Sequence, residues 1–272
     1  MKSQSISDAL NIQKNGLAYE DPRAPMFEAA ATFFTRQGGY SPPPEDSLSF
    51  SRLSADEDIR KNARVVAEFL GVDPGAIIMC DQRHSDVIVR LSSPPSTTPI
   101  ADAIIAEKPG IFPAIRTADC LPILVMDPAA RVSAAIHAGW RGTVKRLARK
   151  VIQTLQRNYH TQPEDLFIAL GPCIGVCCYE VGEEVIDALD AHIAGADNYV
   201  TVTSDQTSQD ARRKFFVDLA EINKAEMVRC GVPEANIKKV GLCTKCREDL
   251  FFSYRRDNGR TGRQISVVGF RR

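Results

Sequence analysis

Between residues 76 and 138 the chain lays down six short β-forming runs in quick succession: AIIMC, DVIVRL, DAIIA, FPAIRTA, CLPILVMD and VSAAIHA. β-Branched and aliphatic residues suit a pleated surface, and the Pro, Gly and Asp residues separating several runs are turn formers. This stretch therefore builds a sheet. Upstream, apolar residues recur at helical spacing through DIRKNARVVAEFLG, where Ser54 to Glu57 fits a capping box and Gly71 is placed to end the helix. Downstream, helices are expected from about Gly142 to Asn158, Tyr179 to His192 and Phe216 to Cys230, with strands at LFIALG, IKKVGL and QISVVGF. The Gly- and Pro-rich TRQGGYSPPPEDS reads as a surface loop. With 272 residues, 44% hydrophobic, a sizeable core is affordable, and neither a repeat nor a clean linker interrupts the chain. The expectation is one α+β (α/β) domain over residues 1–272, mixed β-sheets flanked by helices, with a loosely ordered segment at about 1–28.

The 34 basic residues balance 34 acidic ones, so the electrostatic footprint of a nucleic-acid or membrane-surface protein is missing. No apolar run is long enough to span a bilayer, and MKSQSISDALNIQKNG lacks the apolar stretch of a secretory leader. A cytoplasmic protein acting on a small neutral or locally anionic molecule is expected, with no obligate protein partner indicated. Its eight cysteines are then mostly thiols, and clustered ones point to metal or chemistry before disulfides.

Only four histidines are present. His160 and His192 sit in polar helix-end contexts and read as solvated. His84, in CDQRHSDVIV, and His137, in AAIHAGWRG, lie at the edges of β runs, as does Cys120 in IRTADCLPILV. Two imidazoles and a thiolate suit Zn²⁺, and three protein ligands leave a fourth position open. The same residues also admit two other readings: a buried thiol with core histidines, or a metal-free nucleophile, Cys120, with His137 as its base.

A second cysteine group comprises Cys173, Cys177 and Cys178 in LGPCIGVCCYEVG and Cys243 and Cys246 in LCTKCRED. A structural Cys₄ zinc site and an oxidisable thiol pair are both open, but separate packed or loop thiols are preferred. Cys177 and Cys178 are adjacent, and neither segment has the usual glycine pattern of a zinc knuckle. In FFSYRRDNGRTGRQ, Arg255, Arg256, Arg260 and Arg263 stand beside aromatic residues, either as anion contacts or as solvated arginines. Arg141 follows Trp140 near a helix start, a further place for an anion. No Walker or dinucleotide-binding glycine pattern occurs.

Taken in order, TFFTRQGGYS, RTADCLPILV, AAIHAGWRGT, LGPCIGVCCYEVGEEV and FFSYRRDNGRTGR resemble the YfiH-like proteins, also called the polyphenol oxidase or laccase-domain family. The resemblance runs from about residue 30 to the C-terminus. It implies a YfiH-like fold and a purine nucleoside enzyme: phosphorolysis of adenosine, inosine and methylthioadenosine to base and sugar 1-phosphate, and deamination of adenosine. The partners it implies are thus a nucleoside and phosphate. It also implies one Zn²⁺ per chain, on positions matching His84, Cys120 and His137, with copper an adventitious occupant.

Two departures accompany it. The first ligand stands in Gln82-Arg83-His84-Ser85 where the family has Gln-Val-His-Gly. The family's Asn-Arg pair appears as Asn62-Ala63, with Arg64 one place later and so about 100° round the helix. Arg36, Arg64 and Arg141 are carried forward as substrate contacts. Composition separately argues against a multicopper laccase, whose copper clusters need more histidines than this chain has. The alternatives of another class are a metal-free cysteine hydrolase or amidase using Cys120 and His137, and a non-catalytic binding protein.

Overall fold

A computed structural model describes residues 11–13, 17–51, 55–204 and 213–272. The chain forms β1 (Asn11–Gln13), β2 (Ala18–Glu20) and β3 (Ala29–Phe34), then helix α1 (Asp56–Leu70). The six expected runs follow as β4 (Ile77–Met79), β5 (Ile88–Leu91), β6 (Ala103–Ala106), β7 (Phe112–Thr117), β8 (Leu121–Asp127) and β9 (Val132–Ala138). The remainder comprises α2 (Trp140–Val144), α3 (Leu147–Tyr159), β10 (Phe167–Leu170), β11 (Glu180–Val181), α4 (Glu183–His192), β12 (Val200–Ser204), β13 (Arg213–Val217), α5 (Leu219–Val228), β14 (Ile237–Lys239) and β15 (Gln264–Phe270).

These strands make sheets ordered β1-β2-β3-β15-β7-β4, β14-β10-β8-β9-β6-β5 and β11-β13-β12. The two large sheets are mixed, with β4–β7, β5–β6 and β10–β14 parallel and β8–β9 antiparallel. They pack face to face: Phe33, Ile115 and Val268 of the first meet Leu124, Met126, Ala135 and Ala169 of the second. Val66, Ala67 and Leu70 of α1 cover the outer face of the first sheet, and Val151, Ile152 and Leu155 of α3 cover that of the second.

This layering accounts for the apolar runs. With both faces covered, every residue of β8 and β9 is buried. Period two survives beneath the uniform hydrophobicity. Ile123 and Val125 turn to α3, while Leu124 and Met126 turn to the facing sheet. The fold is the expected α+β arrangement of mixed sheets flanked by helices, and no helix of the described residues is long and apolar enough to cross a membrane.

Several boundaries differ from expectation. The helix expected from Gly142 to Asn158 is two helices, because Arg146 adopts φ 55°. Trp140 and Val144 pack into the α4–α5 cluster, whereas Leu147 onward packs on the sheet, so one straight helix cannot serve both surfaces. Phe215 and Phe216 belong to β13, and α5 starts after Asp218, whose carboxylate accepts from Glu221 N at 3.0 Å. Helix α1 ends at Gly71, φ 67°, as expected, but its N-cap is Ala55; Ser54 of the capping box lies outside the described residues. Of the segment expected to be loose, residues 18–20 are instead a strand beside β3, and Asp21 behind it is buried against Arg23. Burial of Ala18 and Tyr19 against the first sheet supplies the order.

Candidate functional site

The site forms at one end of the sandwich. Leu121 of β8 pairs with Ala138 of β9, so Cys120, just ahead of β8, and His137 leave the sheet together on the face opposite Leu121. The turn after β4 supplies His84. His84 Nε2 lies 3.8 Å from Cys120 Sγ, the two imidazole centroids are 4.8 Å apart, and the ligand atoms of His84, Cys120 and His137 all lie within 4.8 Å of one another. His84 at φ 56° and Asp119 at φ 89° hold left-handed backbone, uncommon outside glycine though best tolerated by Asn, Asp and His, and such conformations cluster at functional sites. Gly139 is required for space: a Cβ there would stand 2.7 Å from Cys120 Sγ and 3.4 Å from the His84 ring.

Asp102, at the mouth of β6, organises both histidines. Its buried carboxylate accepts from His137 Nδ1 at 2.8 Å and His84 N at 3.0 Å through one oxygen. The other oxygen accepts from Arg83 N at 3.1 Å, and from Ser85 N and Ser85 Oγ at 2.6 Å each. Burial acts to raise this carboxyl, but the hydrogen bonds from His137 and Ser85 outweigh it and hold the group well below the usual carboxylate range. An ionised carboxylate only accepts, so His137 carries its proton on Nδ1 and leaves Nε2 for the site. Without a metal, burial raises the Cys120 thiol, but the His137 charge and hydrogen bonds from both histidines bring it down to about 6. The same pairing, with Asp102, lifts His137 to about 9 against its burial.

The three residues line a cavity of about 660 Å³, within the range of small-molecule sites. Phe50, Trp140, Tyr179 and Tyr254 give it aromatic walls, and Arg116, Arg141, Arg255 and Arg263 face it. Carbonyls and rings hold these guanidiniums: Phe50 O and Cys80 O for Arg116, Glu180 O for Arg255, Thr261 O and Gly262 O for Arg263, and the Trp140 ring 4.2 Å beneath Arg141. These contacts set the guanidiniums at the cavity wall. Asp119, the nearest carboxylate in sequence, instead accepts from Thr244 Oγ1 at 2.6 Å and Arg255 N at 2.7 Å. It fixes the arginine-bearing turn at the cavity wall.

Of the expected substrate contacts, only Arg141 lines the cavity. Arg36 spans the loop 35–47, donating to Asp46 O and Glu248 O with Phe252 beneath it. Arg64 is exposed on α1, no residue of which lines the cavity, whereas Asn62 is buried and holds Tyr40 N, Ser41 Oγ and Ser49 O. Arg256 is spent on Asp257 and Thr244 O. His160 and His192 are exposed at the ends of α3 and α4, as expected. Sequence reasoning missed Arg116 and Asp102; the one available signal was a carboxylate opening the otherwise apolar DAIIA. It also separated Cys177, Cys178, Cys243 and Cys246, whose sulfurs in fact converge.

Residues 30–271 match the family described as multi-copper polyphenol oxidoreductase laccase. The purine nucleoside phosphorylase YlmD of Geobacillus stearothermophilus is 32% identical over 91% of this chain and 92% of its own. An adenosine deaminase, RL5, from an unknown prokaryotic organism is 35% identical over 73% of this chain and 77% of its own. The crystal structure of Bacillus licheniformis YfiH superposes with a TM-score of 0.86 at 29% identity, covering 96% of this chain and 99% of that one. The chain belongs to this YfiH-like, laccase-domain family.

Proposed function

We propose that this cavity is the active site of a zinc-dependent purine nucleoside enzyme. It would convert adenosine, inosine or methylthioadenosine with phosphate into free base and sugar 1-phosphate, and deaminate adenosine to inosine. The carrying observation is that a two-histidine, one-cysteine ligand set and four arginines share one nucleoside-sized cavity. The names of the relatives YlmD and RL5 support both reactions.

The ligand set fits the ion. Sulfur and nitrogen bound tetrahedrally to Zn²⁺ stand roughly 3.5 Å apart, close to the 3.8 Å between Cys120 Sγ and His84 Nε2. His84, Cys120 and His137 would hold it, and Asp102 supplies the carboxylate behind a ligating histidine that such sites use. Copper would compete for the same donors, but His160 and His192 lie elsewhere, so the set for a multicopper cluster is not assembled. When bound, Zn²⁺ supplies Lewis acidity and brings the pKa of water toward neutrality.

The chain's own residues do the rest. Phe50, Trp140, Tyr179 and Tyr254 give the planar base apolar faces and keep water from it. The guanidiniums of Arg116, Arg255 and Arg263 can bind a phosphate and hold one of its oxygens against C1′. As that oxygen bonds to C1′, the bond to N9 breaks and its electrons leave with the base, which takes the proton that the hydrogen phosphate gives up. The remaining charge on phosphate is offset by the arginines.

A second reading rests on Cys120, His137 and Asp102, which also form a thiolate, base and orienting carboxylate. One experiment separates the readings: metal content and adenosine turnover of wild type and Cys120→Ala, with and without phosphate, and with a chelator. Phosphate-dependent adenine and phosphate-independent inosine, both lost with the metal, are expected. Turnover that survives chelation but not thiol alkylation would move the assignment to a cysteine hydrolase or amidase. No turnover of any nucleoside would leave a binding protein.

A further inference from the structure

Two turns carrying cysteines meet beside the cavity. Cys173 and Cys243 form a parallel bridge, and Thr244 N donates to Cys173 O at 3.0 Å. This pairing sets the turn 175–178 against the turn 243–246. The four sulfurs of Cys177, Cys178, Cys243 and Cys246 lie within 4.8 Å of one another, with Cys177–Cys246 at 3.7 Å and Cys178–Cys246 at 3.4 Å. Four thiolates bound tetrahedrally at about 2.3 Å stand roughly 3.8 Å from each other. A disulfide needs sulfurs about 2.05 Å apart, and all eight cysteines are free. Cys173 is left out, buried in the core beneath α3 and α5.

The two turns pack closely. Gly175 N donates to Cys243 Sγ at 3.3 Å, and a Cβ on Gly175 would crowd Cys243 Cβ at 3.3 Å and Cys177 Sγ at 3.4 Å. A side chain at this position would press the two turns apart by a few tenths of an ångström. Arg213, Lys214 and Lys245 line the cleft onto which Cys177 and Cys178 open, together with Glu180 and Glu183, and Lys214 pairs with Glu180 at 3.6 Å.

We infer that Cys177, Cys178, Cys243 and Cys246 form a second metal site, a closed tetrathiolate centre for Zn²⁺. On binding, four thiols release their protons to solvent and four metal–sulfur bonds form, with no change of oxidation state. No coordination position stays open, so the centre is structural. It clamps the cavity wall. Ile174 and Tyr179, flanking the first turn, line the cavity, and Thr244, next to Cys243, holds the Asp119 carboxylate that fixes Arg255 N. The inference stands independently of any ion in the cavity.

The test is elemental analysis of protein purified under reducing conditions, as wild type, Cys120→Ala and Cys246→Ser. The expected result is about two zinc ions per chain in wild type and about one in each variant. If the cavity holds no zinc, Cys120→Ala matches wild type while Cys246→Ser still loses its ion. Zinc content in Cys246→Ser equal to wild type overturns the second site, as does iron replacing zinc there, or a wild-type mass lighter by the hydrogens of a disulfide. Should Cys246→Ser fail to fold, Co²⁺-loaded wild type and Cys120→Ala must both show the sulfur-to-metal charge-transfer bands of a tetrathiolate. Their absence refutes the site.

Discussion

Asp102→Asn isolates the carboxylate on which both histidines depend. The substitution keeps the shape but gives one side of the group to an NH₂. If that side faces Arg83 N and Ser85 N, two part-buried backbone donors lose their acceptor. Ser85 Oγ can rotate to accept, so the loss is two charge-assisted bonds, about 3 kcal/mol of folding stability. If the NH₂ faces His137 instead, it donates to Nδ1, and the imidazole proton moves to Nε2, the atom needed for ligation. The variant thus either unpins the His84 turn or places His137 in the wrong tautomer. Both routes weaken metal binding, by roughly 10- to 100-fold. Competition against a chromophoric chelator measures the affinity, and urea unfolding of the metal-free protein measures the stability. Affinity within about twofold of wild type, with unchanged stability, would refute the role given to Asp102.

Gly139→Ala should leave a folded protein that has lost its metal, because the added Cβ would stand 2.7 Å from Cys120 Sγ; circular dichroism with elemental analysis checks it. In metal-stripped protein, alkylation of Cys120 should rise through a midpoint near about 6, and a midpoint at the ordinary thiol value of ~8.5 would contradict the pairing with His137. Because the Asp102 carboxyl is lowered by folding, its stabilisation is complete above the unfolded value of ~4 and fades as pH falls below it. Urea midpoints of wild type and Asp102→Asn should accordingly converge in acid. Arg263→Gln should raise the KM for phosphate about 10- to 100-fold while leaving deamination nearly unchanged. Arg36→Ala and Arg64→Ala should move no nucleoside or phosphate KM by more than about twofold, since neither guanidinium faces the cavity.

The apolar runs from residue 76 to 138 announced strands, of which β5, β6, β8 and β9 join the second sheet and β4 and β7 the first, because strands covered on both faces are written as near-continuous apolar runs. His84, Cys120 and His137 were legible because chemistry-bearing residues at strand edges are rare in a chain with four histidines. Asp102 was not, because its value lies in hydrogen bonds to residues 17 to 35 positions away. Arg36 and Arg64, carried over from the resemblance, do not line the cavity. A helix turns a side chain about 100° per residue, and a loop arginine can satisfy itself on nearby carbonyls. The four converging cysteines were hidden by a bridge between segments 70 residues apart, which neither local spacing discloses.

The pairing of Leu121 with Ala138 has a consequence for how the molecule is checked during folding. A slip of one residue between β8 and β9 would preserve the ladder and part of the hydrophobic burial, since apolar residues occupy both faces. It would also send Cys120 and His137 to opposite sides. An ion that needs both donors therefore reads the strand register, and misaligned molecules that a stability assay would pass as folded would be exposed by failing to retain it.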